Sequence, residues 1–207
     1  MTTTYPDIDR REVDPRLESA AIDRSAAELA VAGLLAALGV DAASEIALRT
    51  PARMVAGLAE LLNAPDWEFT TFANREGHHD LVLSRDVPFT SVCAHHLLPF
   101  SGHAHVGVYP GDRLPGLSKL ARTVETFAAR LQVQEELGQQ IAGFLEEKLD
   151  CAGVGVVLQA EHLCMTRRGV RAVGANTLTV ATRGRLSTDS AARAEFLQLA
   201  MVAGRPS

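Results

Sequence analysis

The chain has 207 residues, 47% of them hydrophobic and 5% aromatic, with a formal net charge of −5. That length fits one domain with a helical appendage, and aliphatic and Ala side chains must fill its core. The acidic balance argues against a general nucleic-acid binder, and no run approaches the roughly 20 apolar residues of a membrane span. The N-terminus has no apolar signal-peptide core, and three cysteines make a poor disulfide framework, so a soluble protein of the reducing cytoplasm is expected.

Residues 1–15 are polar, charged and Pro-punctuated, and read as a flexible arm. From about Arg16 to Leu38, helical spacing links Ala27, Val31, Leu34, Leu35 and Leu38, with Gly39 as a stop. A second helix is predicted to start at "RTPARMVAGLAELL", with Thr50 as its cap and Pro51 in its first position. Residues 16–79 therefore form an N-terminal helical section.

The pattern changes near Asp80. "HDLVLSRDVPFTSVC" is strand-like, and in "GHAHVGVYP" Ala104, Val106 and Val108 alternate with His103, His105, Gly107 and Tyr109. "PGLSKLARTVETFAARLQ" and "QEELGQQIAGFLEEKL" read as helices. Strands follow in "GVGVVLQAEHLCM" and "NTLTVATRG", then a short helix over about Thr188 to Leu199. Residues 80–207 thus give the order ββααββ, an α+β domain with helices on one face of an antiparallel sheet.

One cysteine and four histidines crowd into the segment from Cys93 to His105. Cys93 and His96 are three apart, a spacing that reaches one ion from a turn after a strand. Far downstream, "AEHLCM" sets His162 and Cys164 two apart on a predicted strand, which suits one ligand and one neighbour. Cys93, His96 and Cys164 are therefore the candidate zinc ligands, with His95 and His162 beside them as proton carriers. Three protein ligands leave a position for a water whose pKa the ion lowers, although iron or another divalent ion also suits such a site. Cys151 is expected to be packing, His103 and His105 solvated or hydrogen-bonded, and His78 and His79 loop residues.

"GLSKLAR" sets Ser118, Lys119 and Arg122 at the opening of a helix, where free N–H groups and basic side chains receive anions. "CMTRRGVR" adds Arg167, Arg168 and Arg171. Basic groups near a metal candidate in an acidic chain suggest a phosphate-bearing substrate. In "LQVQEEL", Gln134 and Glu135 open another helix. A carboxylate only accepts hydrogen bonds, and guanine's N1–H and 2-amino group present two adjacent donors that adenine lacks.

In order and spacing, "CAHHLLPFSGHAHVGVYP", "GLSKLAR", "RLQVQEEL", "AEHLCM" and "RRGV" resemble the motifs of the GTP cyclohydrolase I family, over about residues 48–199. The resemblance implies a tunnelling fold, in which ββααββ units assemble into a barrel, and a toroidal homodecamer with active sites between subunits. It implies conversion of GTP and water to 7,8-dihydroneopterin triphosphate and formate, as in tetrahydrofolate biosynthesis. By position, Cys93, His96 and Cys164 match the zinc ligands, and His95 and His162 the catalytic histidines. Ser118, Lys119, Arg122 and Arg168 match triphosphate contacts, Gln134 and Glu135 the guanine-reading pair, and Arg53 a phosphate contact from a neighbouring subunit. The implied chemistry protonates N7 from His162, opens the ring at C8 and releases formate, with His95 moving protons during ring opening.

The chain departs from the family pattern at Ala94, where Glu is usual, at Ala129 and Glu136, where basic residues are usual, and at Val180, where Ser is common. A carboxylate missing beside two histidines removes a partner that would tune them. Two other readings stay open: a ring-opening hydrolase that releases a formamidopyrimidine, and a non-catalytic, zinc-bound oligomeric binding protein.

Overall fold

The computed structural model of the protein describes residues 21–64 and 66–201. The predicted arm over residues 1–15 and the predicted start of the first helix lie outside them. Helix α1 (Arg24–Ala37) begins where the Asp23 carboxylate accepts from the Ala26 N–H at 3.0 Å, and ends before Gly39, whose φ of +83° suits a residue without a Cβ. Helix α2 (Glu45–Leu61) starts earlier than the sequence predicts. Its cap is Ser44, whose hydroxyl accepts from the Ala47 N–H at 3.2 Å, and Glu45 sits in its first turn. Pro51 lies inside this helix and is buried. A proline there forgoes one backbone hydrogen bond, and the capped first turn and the packing against α1 carry the helix through it. Val31, Val55 and Ala59 are buried in this helical pair.

Strands β1 (Thr71–Ala73) and β4 (Arg113–Pro115) form a small antiparallel pair. The main sheet contains β2 (Val82–Cys93), β3 (Pro99–Tyr109), β5 (Leu131–Gln132), β6 (Gly153–His162) and β7 (Thr177–Gly184), in the spatial order β5-β2-β3-β6-β7. Every pairing is antiparallel except β2 with β5. Helices α3 (Leu117–Ala128) and α4 (Gln134–Leu149) stand between β3 and β6 in the chain, and the helical turn α5 (Leu163–Thr166) follows β6. The short helix α6 (Arg185–Thr188) precedes α7 (Ser190–Met201).

Strand period decides the two faces. Ala104, Val106, Val108, Val154, Val156 and Leu158 point to one side, where Leu120 and Val124 of α3 and Leu137 and Ile141 of α4 complete the main core. The opposite face is not bare, contrary to the expectation of helices on one side alone. Tyr109 and Val157 pack there with Phe196 and Ala200 of α7. Gly107 and Gly155 make room: a Cβ on either would stand 2.8 or 2.5 Å from the Phe196 ring. The Tyr109 hydroxyl donates to Glu195 at 2.7 Å, and burial, then this carboxylate, pushes its pKa up to about 12.

Strand β2 carries a bulge between Ser84 and Val87, with Asp86 in the left-handed region at φ 54°. Its N–H donates to Nδ1 of the buried His105 at 3.4 Å, while His103 is exposed. Cys151 is half-buried, its thiol donates to the Gly153 carbonyl at 3.8 Å, and burial pushes its pKa up to about 11. No helix among the described residues is long and apolar enough to cross a membrane.

Candidate metal and nucleotide site

Sheet topology brings the distant motifs together. Strands β2 and β6 both run antiparallel to β3, so their C-terminal ends lie at the same end of the sheet. Cys93 ends β2 and His162 ends β6, on either side of the start of β3. The parallel β5 pairs with Val92 and Cys93 and leads directly into α4, which places Gln134 and Glu135 at that end too. Strand β7 starts there with Thr177, close to the β6 terminus.

The turn after β2 is tightly held. The Cys93 carbonyl accepts from the Leu97 N–H at 2.8 Å and from the His96 N–H at 3.3 Å, and the Ala94 N–H reaches the Gln132 carbonyl at 2.9 Å. Leu97 takes φ 54° to close the turn, and residues 94–97 are exposed.

One donor atom from each of Cys93, His162 and Cys164 lies within 4.8 Å of the other two. The strand predicted through "AEHLCM" stops at His162, and Cys164 stands on the helical turn α5. Along a strand, residues two apart sit roughly 6–7 Å from each other. The switch to helical backbone lets both approach Cys93. His96, the predicted imidazole ligand, is outside this trio. Its Nε2 lies 3.4 Å from Arg168 Nη1, and its ring centroid is 6.4 Å from that of His95.

Burial pushes the Cys164 thiol above the usual range, and the adjacent Cys93 adds to the shift, while Arg168 opposes it. The Cys164 thiol thus resists ionisation unless a cation joins it. Two thiols and an imidazole form a donor set able to hold one divalent metal ion.

His162 is fixed on two sides. Its ring stacks on Phe100, its register partner across β3–β6, with centroids 4.5 Å apart and planes 4° apart. Its Nε2 lies 2.6 Å from Oε1 of the buried Gln134. Burial lowers the His162 pKa, with the Glu135 carboxylate pulling the other way.

The remaining predicted site residues take varied positions. Glu135 is exposed in the first turn of α4 and lines a cleft of about 590 Å³ with Glu136, Gln139, Gln140, Thr179 and Val180. Ser118 and Arg122 are exposed on the first two turns of α3. Lys119 is half-buried, with Nζ 5.5 Å from the Trp67 ring centroid. The first turn of α3 carries no acidic residue, which leaves its positive end to an anion. Arg168 follows α5 and is exposed, as is Arg53 on α2. Sequence reasoning missed Phe100, because an aromatic in a strand reads as core. It also missed Thr177 and Thr179, which signal nothing until Gln134 is seen to bond them.

A family model described as GTP cyclohydrolase I matches residues 27–201. The GTP cyclohydrolase 1 of Mycolicibacterium gilvum is 50% identical over 183 residues, covering 86% of this chain and 90% of that protein. That of Corynebacterium glutamicum is 47% identical over 182 residues, covering 86% and 93%. That of Mycobacterium tuberculosis is 47% identical over 197 residues, covering 91% and 97%. Among solved structures, an archaeosine synthase QueF-like protein in its apo form aligns with a TM-score of 0.41 at 18% identity, over 50% of this chain and 93% of that one.

Proposed function

The chain belongs to the GTP cyclohydrolase I family, and from that premise we propose that it converts GTP and water to 7,8-dihydroneopterin triphosphate and formate. The observation that carries the reading is the convergence of Cys93, His162 and Cys164 at the sheet end that also bears Glu135. Zinc fits the donor set. Bond lengths of about 2.3 Å to sulfur and 2.0–2.1 Å to nitrogen put two donors of one ion at most about 4.6 Å apart, near the 4.8 Å bound seen here. We assign the ligands to Cys93, Cys164 and His96, with His162 kept as proton carrier. The proximity of His162 to both thiols makes it the competing third donor, and metal content in His96→Ala against His162→Ala separates the two. When bound, zinc supplies Lewis acidity and lowers the pKa of water towards neutrality.

The chain's own groups do the rest. Hydrolysis at C8 of guanine needs a proton at N7. His162, held rigidly, takes up a proton and delivers it there. His95, exposed on the turn after β2, moves protons during ring opening. Glu135 accepts from N1–H and the 2-amino group of guanine, which excludes adenine. The sequence pairs Gln134 with it, but the Gln134 carboxamide turns inward, so base reading falls to Glu135. Ser118, Lys119, Arg122 and Arg168 take the triphosphate, joined by Arg53 from a neighbouring subunit.

The reading includes a tunnelling-fold homo-oligomer, a decamer, built from residues 80–207 and flanked by the helical section 16–79 and the arm 1–15. Its support is the apolar surface on the helical pair, where Leu29, Leu38 and Leu48 are 75%, 71% and 72% exposed. Free cysteines at a metal site suit the cytoplasm.

The test is incubation of zinc-loaded protein with GTP and identification of every product by mass. Dihydroneopterin triphosphate and formate are expected. A product that retains the formyl carbon would show a ring-opening hydrolase instead, and no product would show a non-catalytic zinc protein.

A further inference from the structure

The Gln134 side chain is 1% exposed, and its partners fix which way its amide points. Nε2 donates to the carbonyls of Leu158 at 3.1 Å and Thr177 at 3.0 Å, and to Oγ1 of Thr179 at 3.2 Å. Carbonyl oxygens only accept. Reversing the amide would set oxygen against oxygen twice in a buried place, at a cost no partner offsets. Oε1 therefore faces Nε2 of His162, at 2.6 Å. An amide oxygen has no hydrogen to give, so Nε2 of His162 must carry it. The neutral ring is then the Nε2–H tautomer, with its lone pair on Nδ1. The stack on Phe100, which is itself fully buried, fixes the ring plane.

We infer that Gln134 is a positioning residue: it sets the tautomer and rotation of His162, and so makes Nδ1 the nitrogen offered to the reaction. This differs from the base-reading role implied by its place beside Glu135. The arrangement draws on three separate elements, since β6, β7 and the α4 start each supply a partner. The kinetic part of the inference rests on the GTP reading above; the tautomer part does not.

The test uses the full zinc-loaded protein, labelled with ¹⁵N-histidine and studied by magic-angle-spinning NMR. His162 signals are those absent from His162→Asn. The expected spectrum has hydrogen on Nε2 of His162 and none on Nδ1. In Gln134→Met, which keeps the length and removes the acceptor, the two tautomers should mix. There kcat for GTP should fall about 10–100-fold, the usual effect of losing a partner that orients a site imidazole, while KM stays within about threefold. Hydrogen on Nδ1 in the wild type would overturn the inference, and so would a Gln134→Met variant with one tautomer and a loss confined to KM. Should Gln134→Met not fold, the wild-type spectrum still decides. An Nε2–H ring in a protein that leaves GTP unchanged would uphold the positioning role and reject the GTP reading.

Discussion

Replacing Phe100 with Leu tests the packing and the chemistry of the site together. Phe100 is fully buried, lies flat on His162 at 4.5 Å, and meets Phe89 edge-on with centroids 6.1 Å apart. An aromatic pair contributes about 0.5–1.5 kcal/mol beyond its area, so two pairs amount to about 1–3 kcal/mol. Leu nearly conserves volume, which keeps the packing cost under about 1.5 kcal/mol. Phe100→Leu should therefore lose about 1–4.5 kcal/mol of unfolding free energy in urea titrations. Phe89→Leu gives up only the ring pair shared with Phe100, and should lose about 0.5–3 kcal/mol. The catalytic consequences should differ more sharply. Without its platform the His162 ring can tilt, and kcat should fall about tenfold or more in Phe100→Leu, whereas Phe89→Leu should keep its kcat. Equal stability of Phe100→Leu and the wild type would refute the packing argument. Equal loss of kcat in the two variants would refute the claim that the stack orients His162.

Glu135→Gln removes the negative charge from the base-reading position. Hydrogen bonds to charged groups contribute about 1.5–3 kcal/mol, so KM for GTP should rise about 10–150-fold with metal content unchanged; an unchanged KM would remove Glu135 from that role. Burial lowers the His105 pKa below its ordinary 6.5, with Asp86 pulling it up and Arg85 and His103 pulling it down. Because the folded pKa is depressed, the unfolded chain binds more protons between that pKa and 6.5. The stability from keeping His105 neutral is present above that range and is lost as pH falls through the folded pKa. Thermal melts should therefore show a larger fall in Tm between about pH 7.5 and about pH 5.5 for the wild type than for His105→Asn, and parallel curves would contradict this. Gly155→Ala places a Cβ 2.5 Å from the fully buried Phe196 ring. It should cost about 1–3 kcal/mol of stability by denaturant titration, with zinc content retained; a neutral effect would mean that α7 can shift away from the sheet.

Much of this was legible in the sequence because the strands alternate cleanly. Ala104, Val106 and Val108 mark their face, and that face is the one buried under α3 and α4. The second helix misled because Pro51 is the stronger local signal, while Ser44 caps the helix from a stretch with little pattern of its own. The site was half legible. Cys93 and Cys164 are rare residues in suggestive spacings, and the antiparallel order does bring them together. The spacing of His162 and Cys164 reads as strand, and only the backbone shows the turn at Leu163 that folds both towards Cys93. The direction of the Gln134 amide is set by carbonyls on β6 and β7, and no local pattern could reveal it.

The sharing of one ion by Cys93 and Cys164 is tested most directly by metal analysis of the purified protein, combined with X-ray absorption at the metal edge. One divalent ion per chain is expected, with two sulfur neighbours at about 2.3 Å, and Cys93→Ser and Cys164→Ser should each lose it. An ion retained in both variants, or a coordination shell without sulfur, would contradict the site and the hydrolytic chemistry built on it.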